Sequence, residues 1–133
     1  MNPVIRVLLA MAMVLVISTS AAEDDSVIGT WQTEASEKGY LHVAIEKCDE
    51  ALCGKILAAY NLQDEVNADY EHVGKNMVWD MKSTGAASWA KGKIWDPSKD
   101  KTYKSKMSLN GDTLSVSGCV LIVCRGQDWT RVK

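Results

Sequence analysis

KTYKSKMSLNGDTLSVSGC, residues 101–119, is two strands and a turn written in sequence. Lys101 to Leu109 places Tyr103, Met107 and Leu109 on an inward face, with lysines and serines between them. Apolar residues at every second position are the mark of a half-buried strand. Asn110-Gly111-Asp112 follows, and Asn-Gly between alternating runs is the strongest short-range hairpin signal. Thr113 to Cys119 resumes the alternation, with Leu114 and Val116 on one face. An antiparallel hairpin is therefore expected here.

The same period extends outward in both directions. Upstream, Ala87 to Trp95 reads as a strand, and Asp96-Pro97-Ser98-Lys99-Asp100 as a turn with Pro where a type I turn prefers it. Lys75 to Lys82 reads as another strand, with Met77, Trp79 and Met81 sharing a face and Ser83-Thr84-Gly85 turning the chain. Residues 61–74, NLQDEVNADYEHVG, are polar and acidic and read as a long loop. Before them come Cys53 to Tyr60, Tyr40 to Lys47 and Val27 to Thr33. Downstream, Gln127 to Val132 closes the chain. About eight short strands joined mostly by tight turns predict an all-β, antiparallel up-and-down barrel, because closure removes the exposed edges of such a meander.

The first 22 residues differ from the rest. Arg6 is their only charge, Val7 to Ile17 is apolar, and Ser18 to Ala22 are small. This order predicts a secretory signal peptide cleaved after Ala22. The apolar run is too short for the roughly 20 residues of a membrane-spanning helix, and no Cys stands near the cleavage site to carry a lipid. Residues 23–133 are then one domain, periplasmic or secreted, with no membrane span in the mature form.

The 133-residue chain carries a formal charge of −2. Charge is spread along it, and the one cationic stretch, Lys99 to Lys106, reads as a solvated hairpin face. No nucleic-acid partner is expected, because such proteins gather Lys and Arg into a stripe. Phe is absent, so the core falls to five Trp, four Tyr and the aliphatic residues.

The four cysteines fall in two pairs of C-x4-C spacing, Cys48/Cys53 and Cys119/Cys124. In an oxidising compartment such pairs persist as disulfides, and the favoured pairing is local, each clipping a turn. Zinc is the competing reading. Zinc modules usually use tighter knuckles, so no metal or other cofactor is expected.

Two resemblances follow from particular residues. Gly29-Thr30-Trp31 on the first strand and Arg131 on the last are similar to the calycin, or lipocalin-like, barrels. There an Arg stacked on a Trp closes the barrel end, which implies contact between Trp31 and Arg131. A longer series resembles the domain of unknown function 2147 family of exported bacterial proteins. It comprises Ile28-Gly29-Thr30-Trp31, Leu52-Cys53-Gly54-Lys55-Ile56 after Cys48, and Asp64-x-x-Asn67. It continues through Trp89-x-x-Gly92-x-Ile94-x-Asp96-Pro97-x-x-x-Lys101-x-Tyr103, Leu114-x-Val116-x-Gly118-Cys119 and Trp129-Thr130-Arg131-Val132. The loop after Asn67 lacks the Pro and Arg often found there, and Lys93 and Asp100 stand where Gly is expected. This resemblance implies an exported calycin-like β fold and no established activity.

No catalytic constellation emerges. His42 is expected to face solvent. His72 sits near Asp64, Asp69 and Glu71, without EF-hand spacing. Asp80 and Asp96 make a poor carboxylate pair, since Asp96 precedes a Pro in a turn. The protein is therefore expected not to be an enzyme. Trp79, Trp89, Trp95 and Tyr103, from several strands, are the candidate lining of a pocket for a small apolar or amphipathic ligand. The alternative is a filled barrel that works through its surface with an envelope protein partner, the acidic loop 61–74 being its distinguishing feature.

Overall fold

The computed structural model describes residues 12–14 and 25–132. Apart from residues 12–14, the expected signal peptide lies outside the described residues. Eight strands follow one another: β1 (Gly29–Gln32), β2 (Tyr40–Cys48), β3 (Ala51–Tyr60), β4 (Asn76–Gly85), β5 (Ser88–Asp96), β6 (Lys101–Asn110), β7 (Thr113–Val120) and β8 (Val123–Arg131). Each pairs antiparallel with its neighbour, and β1 pairs with β8, so the sheet closes into an up-and-down barrel.

That connectivity puts consecutive connections at alternate ends. Residues 33–39, 61–75, 97–100 and 121–122 stand at one end. The tight turns at 49–50, 86–87 and 111–112 stand at the other, with the N-terminal turn at 25–27. The tight-turn end is filled. Trp31, Trp89 and Trp129 are buried there among Ile45, Leu52, Met81, Leu114 and Val116. In a core without Phe, the indoles supply most of the aromatic volume.

The closure is thin, because β1 contributes only two pairs to β8, Trp31↔Arg131 and Gln32↔Thr130. Side chains reinforce it. The Arg131 guanidinium lies 4.4 Å from the Trp31 ring centroid. Its Nε donates to Asp112 at 3.0 Å and its Nη2 donates to the Ser26 carbonyl at 2.8 Å. The Trp31 indole N–H donates to the Val27 carbonyl at 2.9 Å.

Register shifts interrupt simple alternation in β3, β4 and β5. Leu57 is an extra residue of β3 against β2, and it turns outward. β4 carries an extra residue near Trp79 and Asp80 against β3, and β5 one near Ala90 and Lys91 against β6. Asp80 and Lys91 adopt left-handed φ values of 55° and 60°. An inserted residue switches the face of everything beyond it. Val78 and Met81 therefore both face the core, and Trp79 stands opposite exposed Lys93. The expected shared face of Met77, Trp79 and Met81 is corrected accordingly.

The expected turn at Ser83-Thr84-Gly85 is also corrected. These residues belong to β4, and the turn is Ala86–Ala87, both at positive φ (52° and 55°). A type I′ two-residue hairpin loop needs that backbone at both positions, whatever residues fill it. Finally, β8 begins at Val123 rather than Gln127, because its first four residues are exposed and lack alternation.

Both cysteine pairs are disulfides, Cys48–Cys53 at the filled end and Cys119–Cys124 at the opposite end. No helix among the described residues is long and apolar enough to cross a membrane.

Candidate functional site

The end that carries the long connections is open. It holds a cavity of about 840 Å³. Its floor is formed by Leu41, Ala59, Met77, Ile94, Tyr103 and Gly118 from β2 to β7. Gly118 matters here because Ile94 Cγ2 would lie 3.3 Å from any Cβ placed on it. Its bare backbone leaves the neighbouring Tyr103 and Ile94 side chains their room.

The wall is aromatic on the side of the long loop. Tyr70 meets His72 edge to face at 5.2 Å, and His72 meets Trp95 the same way at 4.9 Å. The Trp95 indole N–H donates to Asp100 at 2.8 Å, and Lys75 Nζ lies 5.7 Å from the Trp95 ring. Burial, and then the nearby Glu71 and Asp96 carboxylates, push the Tyr70 phenol above its ordinary range. It therefore stays protonated, as a neutral amphipathic wall element.

The loop is held by its own side chains. Asn61 Oδ1 accepts from the amides of Gln63 and Glu65, both at 3.0 Å. Asn67 Oδ1 accepts from Asp69 at 3.1 Å. The Asn67 amide donates to the Ala59 carbonyl at 2.8 Å, and Gly74 to Ile56 at 2.8 Å, tying the loop to β3. Tyr40 donates its hydroxyl to Asp64 at 2.8 Å. Asp64 and Asn67 thus brace the cavity wall.

Polar groups of the floor are already satisfied. Thr33 Oγ1 accepts from the Leu41 amide at 2.9 Å, and Gln127 accepts the Trp129 indole N–H at 2.8 Å. No buried side-chain polar atom lacks a partner among the described residues. Charge collects at the rim instead, on Glu34, Lys38, Asp96, Lys99 and Arg125. An apolar floor under a charged rim suits an amphipathic guest, polar end outward.

The four ring residues named from sequence separate. Trp95 and Tyr103 line this cavity. Trp89 is packed in the filled half, 1 % exposed. Trp79 is half-buried and outside the cavity lining. Tyr70 and His72 are wall residues that sequence reasoning did not assign. Their signal lay in the loop's length: long connections gather at one end of an up-and-down barrel and overhang it. His42 is half-buried, 3.1 Å from Gln32 Oε1 and 4.6 Å from the Tyr60 ring centroid, rather than free in solvent. Asp64, Asp69, Glu71 and His72 do not converge. Among the described residues the one grouping with metal-ligand geometry is Glu46, Cys48 and Cys53. Its two sulfurs are bonded to each other.

These features define a lipocalin-like barrel, closed at one end and open at the other. A solved structure shares the fold: protein HP1028 from the human pathogen Helicobacter pylori, described as belonging to the lipocalin family. The similarity has a TM-score of 0.64 at 14 % identity and covers 80 % of this chain and 83 % of that one. No curated protein matches. The family profile of an uncharacterised protein conserved in bacteria, domain of unknown function 2147, matches residues 29–131. The chain belongs to that family.

Proposed function

We propose that this protein is an exported, non-enzymatic carrier or sensor that holds a small apolar or amphipathic molecule in the open end of its barrel. The cavity carries the reading. Eight-stranded barrels have interiors that side chains alone can fill, yet here only one half is filled. The remaining space, about 840 Å³, lies within the range of small-molecule sites. A fully filled barrel acting through its surface fits that space less well. Export is supported by the signal-like residues 1–22 and by two disulfides, bonds that persist in oxidising compartments.

The test is fluorescence titration with N-phenyl-1-naphthylamine, an amphipathic probe, on the disulfide-bonded protein. Native mass spectrometry of freshly isolated protein would reveal any retained guest. Trp95→Ala and Tyr103→Ala should each weaken probe binding about tenfold, the loss of roughly one ring's burial. Trp79→Ala, outside the cavity, should leave it unchanged. Equal effects at all three positions, or no saturable binding, would overturn the reading.

A further inference from the structure

The β7–β8 hairpin ends in Val120-Leu121-Ile122-Val123, closed off by the Cys119–Cys124 disulfide. These four aliphatic residues are 58 %, 92 %, 97 % and 65 % exposed, the only run of four exposed large aliphatics among the described residues. Their contiguity separates them from the scattered exposed aliphatics that any surface carries. Val120 and Val123 also line the cavity. The tip therefore continues the apolar inner wall beyond the rim.

We propose that this tip inserts into the surface of an anionic lipid bilayer, seating the cavity mouth on the membrane. Three observations select that occupant. The first is area: four such side chains bury at most roughly 500 Å², short of the roughly 800 Å² each partner contributes to a stable protein interface.

The second is reach. Two residue rows project beyond the disulfide, about 7 Å at the rise of a strand, which matches the roughly 5–10 Å depth of interfacial anchors. The disulfide holds the two strands together directly beneath the tip.

The third is charge. Lys104 is paired with Cys119 and Arg125 with Gly118, while Lys99 and Lys101 stand further toward the mouth on the adjoining turn and strand. All four are exposed, and none is in an ion pair with another described residue. Cations beside an apolar tip complement anionic headgroups. Leu62, Val66 and Val73 are also exposed at this end, but they lie singly among Asp64, Glu65, Asp69 and Glu71. The barrel therefore leans onto the membrane by its β6–β8 side, with the acidic loop raised. An amphipathic guest then passes between bilayer and cavity along Val120 and Val123 without crossing water.

Docking does not depend on the cavity being occupied, so the two readings are tested apart. Disulfide-bonded protein from cells expressing the full chain is floated with vesicles of phosphatidylethanolamine and phosphatidylglycerol, and with phosphatidylcholine vesicles. Wild type should bind the anionic vesicles, and binding should weaken as salt rises. Leu121→Ser with Ile122→Ser should reduce partitioning at least tenfold, with circular dichroism and melting temperature unchanged. Lys101→Gln with Lys104→Gln should reduce it about fivefold per charge. Because all variants share one N-terminus, differences among them report the tip and its cations. Equal vesicle binding by the serine variant overturns the proposal. So does a dimer in analytical ultracentrifugation that the serine variant abolishes, since the tip would then cover a second copy.

Discussion

Trp95 and Asp100 are joined across a four-residue turn: the indole N–H meets the carboxylate at 2.8 Å, and the ring is held edge-on to His72 at the cavity wall. The turn between β5 and β6 thus sets the position of a ring in the candidate site. Asp96 organises the same turn, accepting from the Ser98 amide at 2.9 Å and its hydroxyl at 2.6 Å.

Asp100→Ala should release the Trp95 ring. Because the bond is exposed, global stability should fall by no more than about 1 kcal/mol in urea unfolding. Binding of N-phenyl-1-naphthylamine should weaken about two- to fivefold. Undiminished binding would show that the wall does not need a fixed ring.

The seam offers a sharper stability test. Trp31→Ala removes a fully buried indole and should cost about 3–5 kcal/mol. Arg131→Ala removes the stacked cation and should cost about 1–2 kcal/mol. The two losses should be less than additive, since each variant deletes the same contact. Denaturant melts of the singles and the double would show this, and strict additivity would contradict it.

Ala86 and Ala87 both hold left-handed backbone, which alanine adopts at a cost. Ala86→Asn with Ala87→Gly should stabilise the barrel by about 1 kcal/mol. A lower denaturation midpoint would mean that this turn is not the one described.

Burial holds the His42 imidazole below its ordinary range. The unfolded chain therefore takes up the proton more readily than the folded one. This contribution to stability is complete above the unfolded value of about 6.5. It is lost as pH falls from there through the folded-state value. His42→Gln should flatten stability against pH in this window. An unchanged profile in the variant would sink the assignment.

Alternation makes the strands legible in the sequence, and it survives wherever a strand is regular. Met107, expected inward, and Leu114 and Val116, expected on one face, are all buried. What misled was one-residue insertion. Nothing in Trp79-Asp80 or Ala90-Lys91 announces an extra residue, because a bulge is decided by pairing with the neighbouring strand. Ala86-Ala87 hid a turn because neither residue favours positive φ. For the site, strand position was the overlooked cue. Trp95 ends β5 beside a mouth connection, whereas Trp89 begins it beside a tight turn. Height along a strand, more than residue type, separates a wall residue from a core residue here.

The two-rung join between β1 and β8 has a last consequence. Every other boundary of the cylinder carries more rungs, with three at the next sparsest between β3 and β4, so thermal opening should start along this line. When it parts, the ring becomes a curled ribbon with two bare margins, each able to template a neighbouring chain. Amide exchange should be fastest along those margins, and slow fibril growth should begin there. The Arg131 clasp, on Trp31, Asp112 and Ser26, holds those margins together.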